Sequence, residues 1–382
     1  MPAAEAGLSV ILHIITGLGS GGAERQLTAL VRGSMAIDPQ VRHVVVSLTD
    51  GGVYGPEIKA AGGDVHCLGL GRGRFSLEAL LALVGLVNRT RPAVLQSWLY
   101  HADLAATLAS PLVGSPPLVW SLRCSDMDLS RYSRLTRWVL WLLCRLSRRP
   151  AAVVSNSAAG LDVHLRHGYQ PRRTQVIANG IDTAVFAPDA AARAALRTAW
   201  SVAEDERLLV CCARHDPMKD HAGLLRAFAP MQYSARLVLA GRGVDLTNPT
   251  LQAEIKAAGV APDRLILLGE RRDIPQILSA CDAFVMGSAF GEGFPNVVAE
   301  AMACGLPGVV TDVGDAAAII GECGQVVAPS NPSALQAGLD RLLSLDDAAR
   351  RQLGETARGR VCDLYSLDRM VRAYLTLYSE LG

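Results

Sequence analysis

Val10-Ile11-Leu12-His13-Ile14-Ile15-Thr16-Gly17-Leu18-Gly19-Ser20-Gly21-Gly22-Ala23-Glu24-Arg25 sets a pattern that the rest of the chain repeats. Val10–Ile15 is a run of strand length, apolar at nearly every position, as in a parallel strand buried on both faces. The glycines that follow let the backbone approach a ligand closely, and the free N–H groups at a helix start attract phosphate. Gly17, Gly19 and Gly22 fit the spacing of a dinucleotide loop. The acid such a loop needs after the second strand is less clear, because Asp50 comes only after Ser47, Leu48 and Thr49. Two readings stay open: a phosphate contact through Gly21-Gly22, and a tight turn with no ligand.

The same alternation runs from end to end. Further strand candidates are His43–Leu48, Val94–Trp98, Leu118–Leu122, Ala152–Asn156 and Gln175–Ile177. A second set follows at Arg207–Ala213, Arg236–Ala240, Leu265–Leu268, Ala283–Met286 and Gly308–Thr311. Two sets separated by helical segments predict two doubly wound α/β sheets, each binding its ligand at the carboxyl ends of its strands. A length of 382 residues also suits two domains better than one core. The boundary is expected in Ala178-Asn179-Gly180-Ile181-Asp182, where Asn-Gly punctuates the chain. That gives domains 1–182 and 183–365. Met370, Ala373, Tyr374, Leu377 and Tyr378 recur at helical spacing in the last segment.

Half of the residues are apolar and 19% are charged, which argues against disorder. The net charge of +1 hides an asymmetry: residues 1–182 carry 18 Lys and Arg against 12 Asp and Glu, and the remainder 19 against 24. A basic first half suits an anionic partner, and the excess is too small for nucleic acid, so a membrane surface or phosphorylated acceptor is the expected class. The nine cysteines form no C-x2-C pair, and most sit in apolar runs, as reduced buried thiols do. Met1–Gly7 carries Glu5 and no basic residue, unlike a signal peptide. The longest stretch without Asp, Glu, Lys or Arg, Leu104–Leu122, is broken by Pro111, Pro116 and Pro117, so it makes a poor membrane span. A cytoplasmic protein, at most peripheral on the inner face of the membrane, is expected.

The chemistry-bearing residues gather in the second half. Arg214 and Lys219 follow its first strand, five apart across Pro217, and can converge on one dianion, the first as a fork and the second as a point charge. Further on comes Gly291-Glu292-Gly293-Phe294-Pro295-Asn296-Val297-Val298-Ala299-Glu300-Ala301-Met302. Pro295 and Asn296 suit a helix start, so the N–H groups of Phe294–Val297 would meet a phosphate end-on. Glu300 stands on an otherwise apolar helix, where an unpaired carboxylate would be costly.

With these motifs the chain resembles a retaining glycosyltransferase of family four. The likeness covers the Gly-Gly-Ala-Glu-Arg start, the Asn179-Gly180-Ile181-Asp182 linker, the Arg214/Lys219 pair and the E-x7-E motif at Glu292 and Glu300. It implies the GT-B fold, with two Rossmann-like domains facing a central cleft and the closing segment 366–382 packing back on the first. It also implies transfer of a hexosyl unit from a UDP- or GDP-sugar to a saccharide or lipid-linked acceptor, with no cofactor and no metal. By the resemblance, Arg214 and Lys219 hold the donor diphosphate, Glu300 the ribose and Glu292 the donor sugar. Gly21, Gly22, Phe294 and Asn296 surround phosphates and sugar through backbone N–H groups. Gly269-Glu270-Arg271 lies where the family holds the base. A nucleotide diphosphate leaves with negative charge that two cations and a helix N-terminus can stabilise.

His101 follows a strand and is a candidate for the active site or for a helix cap. Where many relatives place a cleft histidine, this chain offers Arg123, which could bind a phosphate or an acidic acceptor. Asp126-Met127-Asp128 has the D-x-D pattern of a metal site but lies in the acceptor half. Arg131–Arg149 carries six arginines and no acid; Leu135, Val139, Leu142, Leu143 and Leu146 share one side of its wheel, with Trp138 and Trp141 among the arginines opposite. Such a face suits an anionic lipid boundary. Competing readings are a sugar-nucleotide epimerase of the same fold, a nicotinamide-dependent oxidoreductase and a non-catalytic partner subunit. The oxidoreductase leaves Arg214, Lys219, Glu292 and Glu300 unexplained.

Overall fold

The computed structural model describes residues 10–71, 76–123, 125, 133–203 and 205–382. It divides into two compact units, one holding the chain up to Gly180 together with Leu367–Gly382, the other Ile181–Ser366. The division falls two residues before the expected one.

The first unit is built on strands β1 Val10–Ile15, β2 Arg42–Ser47, β3 Asp64–Cys67, β4 Val94–Trp98, β5 Leu118–Leu122, β6 Ala152–Ser155 and β7 Thr174–Val176. They pair in the order β3-β2-β1-β4-β5-β6-β7, every pair parallel. The second unit holds β8 Arg207–Cys212, β9 Ala235–Ala240, β10 Leu265–Leu267, β11 Ala283–Met286, β12 Gly308–Thr311 and β13 Gly324–Val327. Their order is β10-β9-β8-β11-β12-β13, again all parallel. Both sheets are Rossmann-like, and each reverses its strand order once, between β1 and β4 and between β8 and β11. At such a switch point the neighbouring connections diverge to opposite faces and leave a crevice at the carboxyl ends.

Two strands escape the apolar-run reading, β3 and β13, and both are sheet edges whose residues are only half-covered. An edge strand need not be apolar throughout, and polar Asp64, His66 and Gln325 break the run. Burial elsewhere follows the sequence. Leu12, Ile14, Val44, Val46 and Leu95 cover one face of the first sheet, and Ile11, Ile15, Val45 and Val94 the other. The closing helix Leu367–Leu381 joins this second cluster through Met370, Val371, Tyr374, Leu377 and Tyr378, beside the helix Gly22–Ile37. Gly33 lets the two helices pack closely: a Cβ there would lie 2.7 Å from Val371.

The first core contains an ordered polar wire. Trp98 Nε1 donates to His13 Nδ1 at 3.2 Å, and His13 Nε2 meets His43 Nδ1 at 2.9 Å. His43 Nε2 then meets Ser34 Oγ at 2.5 Å, which donates to the Leu30 carbonyl at 2.7 Å. Indole can only donate, so His13 carries its proton on Nε2 and His43 on its own Nε2. Both rings are neutral: burial takes His43 down to about 4 and His13 well below its ordinary value. All eight described cysteines are free thiols, and Cys67 is the exposed one. Cys124, Arg131 and the Asp126-Met127-Asp128 pattern lie outside the described residues.

Candidate active site

In the second unit the expected residues stand at the switch point itself. Arg214–Lys219 leave the carboxyl end of β8, and Gly287–Glu292 leave that of β11. Asp216 organises the first loop. Its carboxylate accepts from the Met218 amide at 2.9 Å and from Arg214 Nε at 3.1 Å, and its carbonyl accepts from the Lys219 amide at 2.9 Å. Burial works to raise the Asp216 carboxyl, but the amide and the guanidinium outweigh it and hold it below its usual range. Arg214 is thereby fixed as a half-exposed fork. Asp220, in the left-handed region at φ 47°, caps the next helix through the Gly223 amide at 2.9 Å.

Lys219 turns inward and pairs with Glu292 Oε1, their side chains only 15% and 9% exposed. Ser288 Oγ donates to the same carboxylate oxygen at 2.6 Å, and Thr311 Oγ1 holds the Ser288 carbonyl at 2.6 Å. The Ala289 amide donates to the Met218 carbonyl at 2.8 Å, locking the two loops together. Thus ammonium, carboxylate and hydroxyl converge from the loops after two strands, β8 and β11, in a nearly dry recess, with Thr311 of β12 bracing the second loop. Gly314, at φ 62°, backs it: a Cβ there would lie 2.2 Å from the Glu292 carbonyl oxygen. Phe294 is buried with its ring 5.4 Å from that of Tyr365. Pro295 is the N-cap of helix Asn296–Ala303, so the first-turn amides, Val297 among them, point out of its amino end. Glu300 is buried on that helix, close enough that its charge, after burial, helps to push the Cys304 thiol up to about 12.

His221 lies under the loop, buried, its ring 5.3 Å from that of His215, which in turn meets Glu254 at 2.9 Å. Burial, then the charges of His215 and Lys219, take His221 down to about 4, so it stands neutral. Arg271 is placed at the carboxyl end of β10, exposed and bonded through Nε to Asp273 at 2.7 Å. Sequence reading missed Asp216, Ser288, Gly314 and His221. A Ser four residues before a Gly-flanked Glu, and a Gly just beyond β12, were the available signals.

The remaining candidates belong to the first unit. Gly21 is the N-cap of helix Gly22–Ile37, but the Glu24 carboxylate folds back so closely that a Cβ on Gly21 would meet it at 2.2 Å. That helix start already faces an acid of its own chain, and burial raises Glu24. His101 sits in the first turn of helix Tyr100–Ala109, half-buried, its pKa lowered by that burial. It follows Leu99, a bulky residue held at φ 74°, a conformation that costs about 1–3 kcal/mol and clusters at functional sites. Arg123 departs from the expectation of a ligand fork. Its Nε donates to Ser121 Oγ at 3.0 Å, Nη1 to Asn179 Oδ1 at 2.8 Å and Nη2 to the Tyr374 hydroxyl at 2.5 Å. The guanidinium also lies 4.2 Å over Trp98; Nη1 and Nη2 tie the linker and the closing helix to β5, and Nε anchors the side chain on β5 itself.

Two family models match this chain. Residues 20–185 match the one described as Glycosyltransferase Family 4, and residues 206–345 the one described as Glycosyl transferases group 1. EpsF of Bacillus subtilis (strain 168) is 27% identical over 319 residues, 79% of each chain. The N-acetylgalactosamine-N,N'-diacetylbacillosaminyl-diphospho-undecaprenol 4-alpha-N-acetylgalactosaminyltransferase of Campylobacter jejuni is 28% identical over 224 residues. That match spans 58% of each protein, little more than half the relative's length. Among solved structures, Anabaena HepE in complex with UDP-glucose aligns with a TM-score of 0.82 at 21% identity, over 97% of this chain and 100% of that one.

Proposed function

The chain belongs to glycosyltransferase family four, and from that premise we propose that it moves a hexosyl unit from a UDP- or GDP-sugar to a saccharide or lipid-linked acceptor, with retention and without a metal ion. The observation that carries this reading is the convergence of Lys219, Glu292 and Ser288 at the β8/β11 switch point, with Arg214 on the same loop as Lys219. UDP in the HepE complex and the diphospho-undecaprenol acceptor in the Campylobacter protein's name favour UDP and a lipid-linked saccharide.

The chemistry follows from charge. As the bond from the anomeric carbon to the diphosphate oxygen breaks, negative charge grows on the diphosphate. Arg214, Lys219 and the amino end of helix Asn296–Ala303 stabilise it, in a recess where each contact counts for more than in water. Lys219 exchanges its Glu292 partner for phosphate, which frees the Glu292 carboxylate to accept from a sugar hydroxyl. Glu300 takes the ribose hydroxyls. The acceptor oxygen bonds to the anomeric carbon on the face the diphosphate leaves, and its proton passes to a diphosphate oxygen, so configuration is retained.

Thermal shift against UDP, GDP, ADP and NAD tests the donor class. Stabilisation by UDP or GDP, lost in Lys219→Ala/Arg214→Ala, is expected. Stabilisation by NAD alone would replace the proposal with an oxidoreductase.

A further inference from the structure

The helix Arg134–Leu146 lies on the outside of the first unit with Val139, Leu140 and Leu143 buried beneath it. Leu135, expected on the packed side, is exposed instead. At 100° per residue, Arg134, Arg137, Trp138, Trp141 and Arg145 fall within about 60° of one line down the opposite side. All five are exposed, Trp138 to 66% and Trp141 to 47%, and Arg148 and Arg149 add two exposed cations in the turn beyond. The two indoles meet edge to face at 5.3 Å, and Arg145 stacks 3.6 Å over Trp141.

The apolar exposure continues onto the neighbours. Helix Tyr100–Ala109 packs against this helix, and Leu108 and Leu112 are exposed at its end. The turn Ser110–Val113 packs in turn against helix Leu77–Thr90, whose Leu77 and Leu81 are exposed. A water-soluble surface rarely gathers so many exposed Leu and Trp side chains on adjoining elements without a partner. The chemistry selects one. Indoles and arginines together suit the headgroup layer of a bilayer, where the rings are half-solvated and the cations meet phosphate. Arg134–Arg149 contains five arginines and no acid, and the nearest acids on these elements are Glu78, at the first turn of its helix, and buried Asp103. Among the described residues no helix is long and apolar enough to cross a membrane, so the contact is in the interfacial plane.

We propose that this face, Arg134, Arg137, Trp138, Trp141 and Arg145 with Leu77, Leu81, Leu108 and Leu112 beside them, docks the protein on a bilayer rich in anionic phospholipid. The inference is independent of the transfer reaction, and vesicle binding is read without substrate. The intact protein is sedimented with phosphatidylcholine vesicles with and without phosphatidylglycerol at low salt. Each arginine facing an anionic leaflet multiplies partition about fivefold. Arg134→Glu/Arg137→Glu/Arg145→Glu is therefore expected to lower binding at least about a hundredfold, and Trp138→Ala/Trp141→Ala by about tenfold. Because the replaced side chains are exposed, their melting temperatures should match the parent. Should the triple variant unfold, Arg134→Gln/Arg137→Gln supplies the same comparison. Absence of binding to phosphatidylglycerol vesicles overturns the proposal. So does equal binding by the charge-reversed variant, equal binding to pure phosphatidylcholine, or self-association through Trp138 and Trp141 in place of vesicle binding.

Discussion

The Lys219–Glu292 pair is the point where stability and catalysis meet, and a double-variant cycle resolves it. Both side chains are nearly out of solvent, so their coupling falls between the exposed-pair value of under about 1 kcal/mol and the buried value of about 3–5 kcal/mol. Lys219→Met leaves the Glu292 carboxylate in its recess without that counter-ion. Glu292→Gln leaves the ammonium in the same position. Each single change is expected to cost about 2 kcal/mol, which for a unit the size of Ile181–Ser366 lowers its melting temperature by about 4–8 °C. The double variant removes both charges together and should regain about 1–2 kcal/mol relative to the sum of the singles. Differential scanning calorimetry of the nucleotide-free protein reads all four corners. Strictly additive shifts would refute the reasoning, because the two side chains would then make no energetic contact. Turnover should nevertheless fall at least about tenfold in all three variants, since a charge-assisted contact to the transition state is worth about 1.5–3 kcal/mol.

Three further outcomes follow. The His43 imidazole sits at about 4 when folded against 6.5 unfolded, so its contribution is fully present above pH 6.5 and is lost as pH falls toward 4, by about 1.4 kcal/mol per unit; His13 steepens the loss. Urea titrations at pH 7 and pH 5 should show this drop, and equal midpoints would contradict the neutral wire. Gly314→Ala places a Cβ against the Glu292 carbonyl at positive φ, so nucleotide affinity should fall at least about tenfold with melting lowered by a few degrees, whereas an unchanged affinity measured by calorimetric titration would show that the recess does not depend on that contact. Excess EDTA should leave transfer nearly unchanged if Arg214, Lys219 and the helix amides carry the charge; a loss restored by Mg²⁺ or Mn²⁺ would reassign it to a metal.

What could be read from the sequence follows physical lines. Strands such as Val94–Trp98 and Ala283–Met286 are central in their sheets, buried on both faces, and were legible as apolar runs. β3 and β13 were not: both are edge strands, and Asp64 and His66 in one and Gly324 and Gln325 in the other interrupt the apolar run that still marks the edge strand β10. The positions of Arg214, Lys219 and Glu292 beyond the carboxyl ends of β8 and β11, and of Glu300 on the helix after them, were legible because each follows a recognisable apolar strand run. The supports behind them were hidden for a different reason: the Thr311–Ser288 contact and the Gly314 approach depend on which loop the fold sets beside β11. Arg123 shows the limit most clearly. Its position after β5 suggested a ligand, while its fate is decided by Tyr374, 251 residues away in the closing helix.

The most direct test of the central claim is donor hydrolysis: release of free nucleoside diphosphate from a panel of UDP- and GDP-sugars by the parent protein and by Lys219→Ala/Arg214→Ala. The account predicts slow release from one or a few UDP- or GDP-sugars by the parent, reduced about a hundredfold or more in the double variant while its fold persists. Release that is undiminished in the double variant would contradict the assignment of the site, and no release from any nucleotide sugar, with or without acceptor saccharides, would contradict the reaction itself.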